Sequence, residues 1–581
     1  MIATLLASIY ITLLCHAFGQ IALALFARVT HSDKVPAQHF IVTCLTGLAT
    51  ISVVANFLSL FFPLGNLLIH LTLLSVALTW YYRNKATLSL AISNLRISLK
   101  SMSPQAFFLI AVSTVLILIM HAWHINHPDT LIYHAQNIQW AEKYRVIPGL
   151  VNLQTHYGFQ SSWFILCALF SFSFIGLPVL TFINATILIW FVIFTVNKID
   201  TSLRTKGDNP MLSGFLWLAL LIVSFVTYTQ IRLTATSASP DFIVALYLWL
   251  IFYLFFEYSD KKNPAFCLFL AFIGFFAITI KLSSAPIFLL IIFIYWTSRK
   301  HNHQISIITA FATGLIILSP QIARNFISTG YFVYPLTFPN IITTDWQAPK
   351  ELVDLTRQYI TAYARVHSEY EVEAIKSNFN LPISGWIHRW WKILSVTDKI
   401  ILASIPSLLL IFIIMKGFAG RSIKAPSLPI LVLLLLGDII WFLSAPDPRF
   451  GYGFLLPTAG ILIYSILSRL RCSFRVTRKI LSASLSLFAI TVLIYSAYRL
   501  THYFTRQNIY MPSGVINSSY EQIDCNGVLI HIPVDNSRCG SIPLPCTQNP
   551  CGNFTLRGQN IVDGFRASDK KNIVHREYLN Y

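Results

Sequence analysis

Charge is scarce in this 581-residue sequence: Asp, Glu, Lys and Arg make up 11% of it, against 55% hydrophobic residues. That balance excludes a soluble globular chain and is the profile of a polytopic membrane protein. Acids are the scarcer sign, 23 against 42 Lys and Arg, which leaves a formal net charge of +19. In a soluble protein such an excess would point to nucleic acid. No RNA- or DNA-binding motif accompanies it, and the basic residues fall in short loops between apolar runs, so the expected partner is the lipid bilayer and not nucleic acid. The N-terminus lacks a positively charged n-region, so its first apolar run is expected to be a retained span and not a cleaved signal peptide. Internal repeats and low-complexity tracts are missing too, and no metal-binding set is apparent, so no cofactor is expected.

What is present is a series of apolar runs, each able to cross a hydrocarbon core of about 30 Å. Spans are expected near residues 2–27, 38–62, 66–82, 105–123, 178–197, 210–229, 241–257, 264–281, 284–297, 305–322, 398–415, 427–444, 453–468 and 480–498, about fourteen in all. The loops between them alternate in charge. Arg28 and Lys34; Arg83, Lys85, Arg96 and Lys100; Lys198, Arg204 and Lys206; Lys261 and Lys262; Arg299 and Lys300; Lys416, Arg421 and Lys424; and Arg469, Arg471, Arg475, Arg478 and Lys479 fall on one side. Arg232, Lys281 and Arg449 stand nearly alone on the other. The positive-inside rule puts the first set in the cytoplasm and both termini outside, which places the chain in a cytoplasmic (inner) membrane. This alternation requires that 161–175, SSWFILCALFSFSFI, be an interfacial or re-entrant helix and not a span.

The expected organisation follows. Residues 1–104 carry N-terminal helices, 105–322 a membrane core with an outer loop at 124–177, 323–397 a second outer region, 398–498 further spans, and 499–581 a small extracytoplasmic domain. That last segment holds Cys525, Cys539, Cys546 and Cys551 without a CxxC pair, which favours two disulfides over a zinc site. Each cysteine paired with its neighbour, Cys525 to Cys539 and Cys546 to Cys551, closes a short loop. Asn517 and Asn553 fit the glycosylation sequon.

The polar stretch 127–163 follows the fourth span and opens on Asp129, with Tyr133 and Asn137 at the next two helical repeats, so a helix here carries all three on one face. Asp129 reads either as a helix cap or as a base at the membrane mouth. Topology places Arg232, Asp241, Lys281, Arg324, Asp447 and Arg449 at the same ends of their spans. Charges near membrane depth line cavities or pair, and Arg and Lys bind phosphate. A phosphate or diphosphate on a lipid is the expected ligand. A sugar carried on such a phosphate has a good leaving group and needs only one carboxylate to activate an acceptor hydroxyl, whereas a glycosidase needs two.

These residues resemble the GT-C membrane glycosyltransferases, especially the branch of protein mannosyltransferases and aminoarabinose transferases. That branch has an acidic residue just after a span, here Asp129, opening an outer loop with two juxtamembrane helices, here at about 130–144 and 161–175. Its TK element resembles ITIK ending at Lys281, its Asp at a span start resembles Asp241, and its PxxxRNxxxTGxxxYP form matches Pro320 to Pro335. RFGYGFLLP at 449–457 is similar to its closing element. DTLIYH and PDPRFG also resemble a group of bacterial inner-membrane proteins of GT-C type. The chain departs from the pattern in three spans that precede the acidic residue and in Asp-Thr where Asp-Glu is usual.

The resemblance implies an all-α, GT-C-like membrane glycosyltransferase that takes sugar from a polyprenyl-phosphate donor to a glycan or lipid acceptor. Asp129 would be the catalytic base and Arg232, Lys281, Arg324 and Arg449 would hold the donor phosphate. Tyr133, His134, Asn137, Asp241, Asn325, Tyr331 and Trp346 would line the substrate. Some members of the superfamily use a divalent cation. A polysaccharide polymerase or ligase and a lipid or glycan transporter are the competing readings; broken helices in inverted halves would favour the transporter.

Overall fold

The computed structural model describes the chain except residues 33–34, 36–38, 126, 178, 259–262, 300–306, 370, 419–427, 469–473, 504, 517, 526, 535–537, 549–553 and 569–581. Lys34, Lys261, Lys262, Lys300, Arg421, Lys424, Arg469, Arg471, Asn517, Asn553 and Cys551 therefore lie outside the described residues.

The protein is a helical membrane protein. Each of the expected spans is helical, but among the described residues eight helices are long and apolar enough to cross a bilayer, or nine if the bent pair Pro210–Val226 and Tyr228–Ala235 is one span. Several others, such as Pro264–Ile280 and Leu428–Ser444, have 17 residues. At 1.5 Å per residue each is roughly 25 Å long, at the lower end of what crosses a bilayer. The stretch 161–175 holds an eight-residue helix, Ser162–Leu169, too short to cross by itself, followed by a turn and a short 3-10 segment, Ser173–Ile175.

Local sequence explains where helices begin. Ser103-Pro104, Asn263-Pro264 and Asp447-Pro448 each pair a capping side chain with a proline that has no amide to satisfy. The caps accept from Ala106 N at 3.3 Å, Phe266 N at 2.8 Å and Arg449 N at 3.1 Å. The helices Ile2–Val29 and Phe40–Leu58 cross at a glycine contact, because a Cβ on Gly47 would sit 1.7 Å from the Cys15 carbonyl oxygen.

The first and last parts of the chain meet at one end of the bundle, where the Met1 amine donates to the Asn508 carbonyl at 2.7 Å. The tail forms two hairpins, β1 (Tyr520–Cys525) with β2 (Val528–Pro533) and β3 (Phe554–Leu556) with β4 (Phe565–Ala567), both antiparallel. Its own buried cluster is small, Cys539, Ile542 and Cys546. Cys525, Val528, Ile530, Phe554 and Phe565 share one cluster with Trp140, Ile147, Leu150, Leu153 and Tyr157.

The disulfide pairing differs from expectation: Cys539 is bonded to Cys546, so neither nearest-neighbour pair forms. The reason lies in the hairpin. His531 N donates to the Pro545 carbonyl at 2.9 Å, and this draws Cys546 alongside β2. Cys525 is also disulfide-bonded.

Candidate functional site

Asp129 opens a π-turn, Thr130–His134, that continues into the helix Ala135–Lys143. Its backbone is helical, yet its carboxylate makes no capping hydrogen bond. It turns instead to Arg449, whose Nη1 lies 3.1 Å from Asp129 Oδ2. The cap of Asp447 fixes Arg449 in the first turn of the helix Pro448–Leu467, and the same guanidinium lies 3.0 Å from Asp447 Oδ2 and 3.8 Å from Asp241 Oδ2. Asp241 stands in the first turn of Asp241–Glu257, where the helix dipole favours an acid. Its other oxygen is paired with Lys281, the residue that closes the helix Pro264–Ile280. Phe450 packs under both cations, 3.5 Å from Lys281 Nζ and 4.8 Å from the Arg449 guanidinium.

Three carboxylates thus surround two cations, and the carboxylates compete for Arg449. Asp241 is buried with its oxygens committed. Asp129 keeps 32% of its side chain exposed, so it is the member that a substrate can reach. Partial burial would raise the Asp129 carboxyl, but Arg449, helped by His127 and His134, outweighs it and holds the group well below the ordinary carboxylate range. Burial pushes the His134 imidazole down to about 3 and His156 to about 4, so both are neutral near pH 7.

The remaining expected residues divide. Arg324 is buried and outside the ion-pair network. It donates from Nε to Gln160 Oε1 at 2.8 Å and from Nη1 to Ser59 Oγ at 3.1 Å. Next to Gln160, Ser161 donates to the Ile280 carbonyl at 2.7 Å, which sets Arg324 one step from Lys281. Arg232 does not join the cluster: it donates to the Val226 carbonyl at 2.9 Å and lies over the Tyr228 ring.

Tyr133 sits among His134, His156, Phe159 and Phe164, a half-buried aromatic wall beside Asp129. His134 is tied to Thr130 Oγ1 at 3.1 Å, and Asn137 donates to the Phe159 carbonyl at 3.0 Å. Asn325, Tyr331 and Trp346 brace the loop that follows Arg324. Asn325 donates to Phe332 O at 3.3 Å, Tyr331 to Ala348 O at 3.0 Å and Trp346 to Phe326 O at 3.4 Å, while Arg557 from the tail covers the Trp346 ring.

Asp447, which the sequence places among the charged span ends, joins the site as a partner of Arg449. Phe450 and Gln160 also belong to it; the adjacency of Phe450 to Arg449 was the available signal, and Gln160 had none. Among the described residues, no group of three or more His, Cys, Asp or Glu is placed to hold a metal ion.

The tail holds the Asp129 segment from the side. Ile125 N donates to Gly514 O at 2.7 Å and Ile516 N to Ile125 O at 3.2 Å, a short parallel pairing just before Asp129. Gly540, next to the disulfide, donates to Leu131 O at 2.7 Å and accepts from Gln136 at 3.1 Å and Gln139 at 3.2 Å.

Residues 1–456 match a family model described as a domain of unknown function (DUF8201), and the chain belongs to that family. The match takes in every member of the charge cluster and ends before the tail. No curated protein and no solved structure matches the chain.

Proposed function

We propose that this member of the DUF8201 family is a GT-C-type membrane glycosyltransferase with about fourteen membrane helices. It transfers sugar from a polyprenyl-phosphate donor to a lipid or glycan acceptor at the outer face of the cytoplasmic membrane. The observation that carries the reading is the Asp129–Arg449 pair: a reachable carboxylate held by a guanidinium for which Asp447 and Asp241 also compete.

The donor phosphate binds Arg449 and Lys281, with Arg324 adding a buried charge that no carboxylate neutralises among the described residues. Drawing Arg449 toward phosphate strips Asp129 of its main counter-charge, and burial then raises its basicity. The acceptor hydroxyl oxygen attacks the anomeric carbon, its proton passes to Asp129, and the bond to the phosphate oxygen breaks with both electrons leaving on phosphate. Resting Asp129 is a weak base, so the acceptor is activated only when donor is present.

The test is transfer from a radiolabelled polyprenyl-phosphate sugar by purified protein. Transfer that depends on Asp129 supports the reading. Absence of both transfer and binding across a panel of such donors would sink it. One observation favours a transporter instead, namely the 63° break between Pro210–Val226 and Tyr228–Ala235. No second break of this kind occurs among the described residues, so the inverted pair that a transporter of this design would carry is not seen.

A further inference from the structure

The break in that helix carries more than a bend. Its second half begins in a π-turn, Tyr228–Arg232, with Gln230 at φ −99° and ψ −114°, outside helical geometry. Gln230 is 0% exposed, and neither its amide oxygen nor its amide nitrogen has a hydrogen-bond partner among the described residues. The hydroxyls of Thr227 and Thr234, also buried, are likewise without hydrogen-bond partners among the described residues. Thr227 is extended, at φ −72° and ψ 122°, and Gln230 is non-helical, so the three are gathered by the break itself, within eight residues, and not by a shared helix face. Each orphaned donor or acceptor at membrane depth is destabilising unless something polar meets it.

The surroundings show which polar groups are already used. Asn184 Nδ2 donates to the carbonyls of Thr234 at 3.2 Å and Ser237 at 2.9 Å, so the backbone after the break is satisfied and the side chains are what remain. Arg232 donates from Nη2 to Val226 O and lies over the Tyr228 ring, while its Nε has no hydrogen-bond partner among the described residues. The segment then runs directly into the charge cluster: Ser237 Oγ lies 2.7 Å from Thr130 Oγ1, next to Asp129, and Asp241 follows.

We propose that the break at Thr227–Thr234 is a binding subsite for an uncharged, hydroxyl-rich ring, the sugar carried by the lipid donor. One amide and two hydroxyls offer donors and acceptors without a full charge. They suit groups that both give and take hydrogen bonds, as sugar hydroxyls do, and suit phosphate poorly. The choice of ligand rests on the lipid-linked sugar reading, which puts the phosphate at Lys281 and Arg449 and the ring beside it.

The experiment uses the full chain in nanodiscs, as wild type and as Gln230→Leu and Thr234→Val, both close in volume to the residues they replace. Affinity is measured for a polyprenyl phosphate, for the same lipid bearing a hexose, and, by ligand-observed NMR, for free hexoses and N-acetylated hexosamines. The sugar-bearing lipid should bind wild type more tightly than the bare phosphate, and each variant should lose about tenfold of that preference while binding the bare phosphate unchanged. If neither lipid binds wild type but free sugars give a signal that Gln230→Leu abolishes, the subsite stands and the donor reading falls. If sugar binding in every form is the same in Gln230→Leu and Thr234→Val as in wild type, or absent from all, the buried groups hold only water and the proposal is overturned. A Gln230→Leu chain that fails to fold leaves Thr234→Val and Gln230→Glu to decide by the same preference ratio.

Discussion

Arg449 Nη1 and Asp129 Oδ2 meet at 3.1 Å across 320 residues of sequence, and the pair joins the start of one helix to the start of another. The guanidinium both holds the carboxylate in place and suppresses its basicity. The chemistry proposed for the site depends on that bond being exchangeable.

Asp129→Asn keeps the shape and removes the base. Because Asp129 makes no capping bond, the change leaves helix initiation intact. Sugar transfer should fall on the order of 10²–10⁴-fold with donor binding retained, while Tm drops only modestly because Asp447 and Asp241 still flank Arg449. Full transfer by Asp129→Asn would remove Asp129 from the mechanism.

Arg449→Ala leaves Asp129, Asp241 and Asp447 facing one another with only Lys281 among them. Breaking a largely buried network of this kind costs about 3–5 kcal/mol. Thermal unfolding in detergent should show a clear drop in Tm, with Arg449→Lys intermediate because an ammonium cannot serve three carboxylates as a fork does. A Tm for Arg449→Ala equal to wild type would show that the network contributes nothing to the fold.

Lys281→Ala and Arg324→Ala should each weaken polyprenyl-phosphate binding by about 1–3 kcal/mol. Their stabilities should separate. Lys281→Ala strands buried Asp241, whereas Arg324→Ala removes a cation whose partners are neutral. Unchanged affinity in both variants would make these cations structural.

Glu142, buried on the helix after Asp129, gives a pH signature. Burial raises its carboxyl to about 7, against smaller opposing effects from Ser171 and Lys143. The folded value lies above the unfolded one, so the folded state favours the neutral form. Stability from this group is full below about pH 4.3 and declines as pH rises toward about 7, by roughly 3 kcal/mol in total. Glu142→Gln should therefore raise Tm at pH 8 and change it little at pH 4. Equal effects at the two pH values would contradict the burial argument.

Much of the charge cluster was legible because charges in an apolar sequence are few, and those at span ends have little choice but to pair. Asp129, Asp241, Lys281 and Arg449 meet for that reason. Arg232 does not, because the helix break beside it frees the Val226 carbonyl, and a continuous apolar run at 210–229 gives no sign of a break. Hydropathy marks where the apolar runs lie but not how long each helix is, so it does not separate the eight longer helices from 17-residue ones such as Pro264–Ile280 and Leu428–Ser444. Tyr331 and Trp346, expected to line the substrate, instead bond to the Ala348 and Phe326 carbonyls, with Arg557 over the Trp346 ring. The disulfide turned on a strand contact between His531 and Cys546 that cysteine spacing cannot report.

The tail's grip on the Asp129 segment has a consequence for how the protein is made. Gln136 and the Gly540 carbonyl that it binds are 404 residues apart, so a ribosome releases one long after the other. Until then Leu131 and Ile125 sit at the membrane without their edge partners, and Trp140 without Phe565 to cover it. The charge cluster is therefore braced by residues 514–540, and a chain cut short before residue 514 would hold every charged member of that cluster while lacking the brace that sets Asp129 in register.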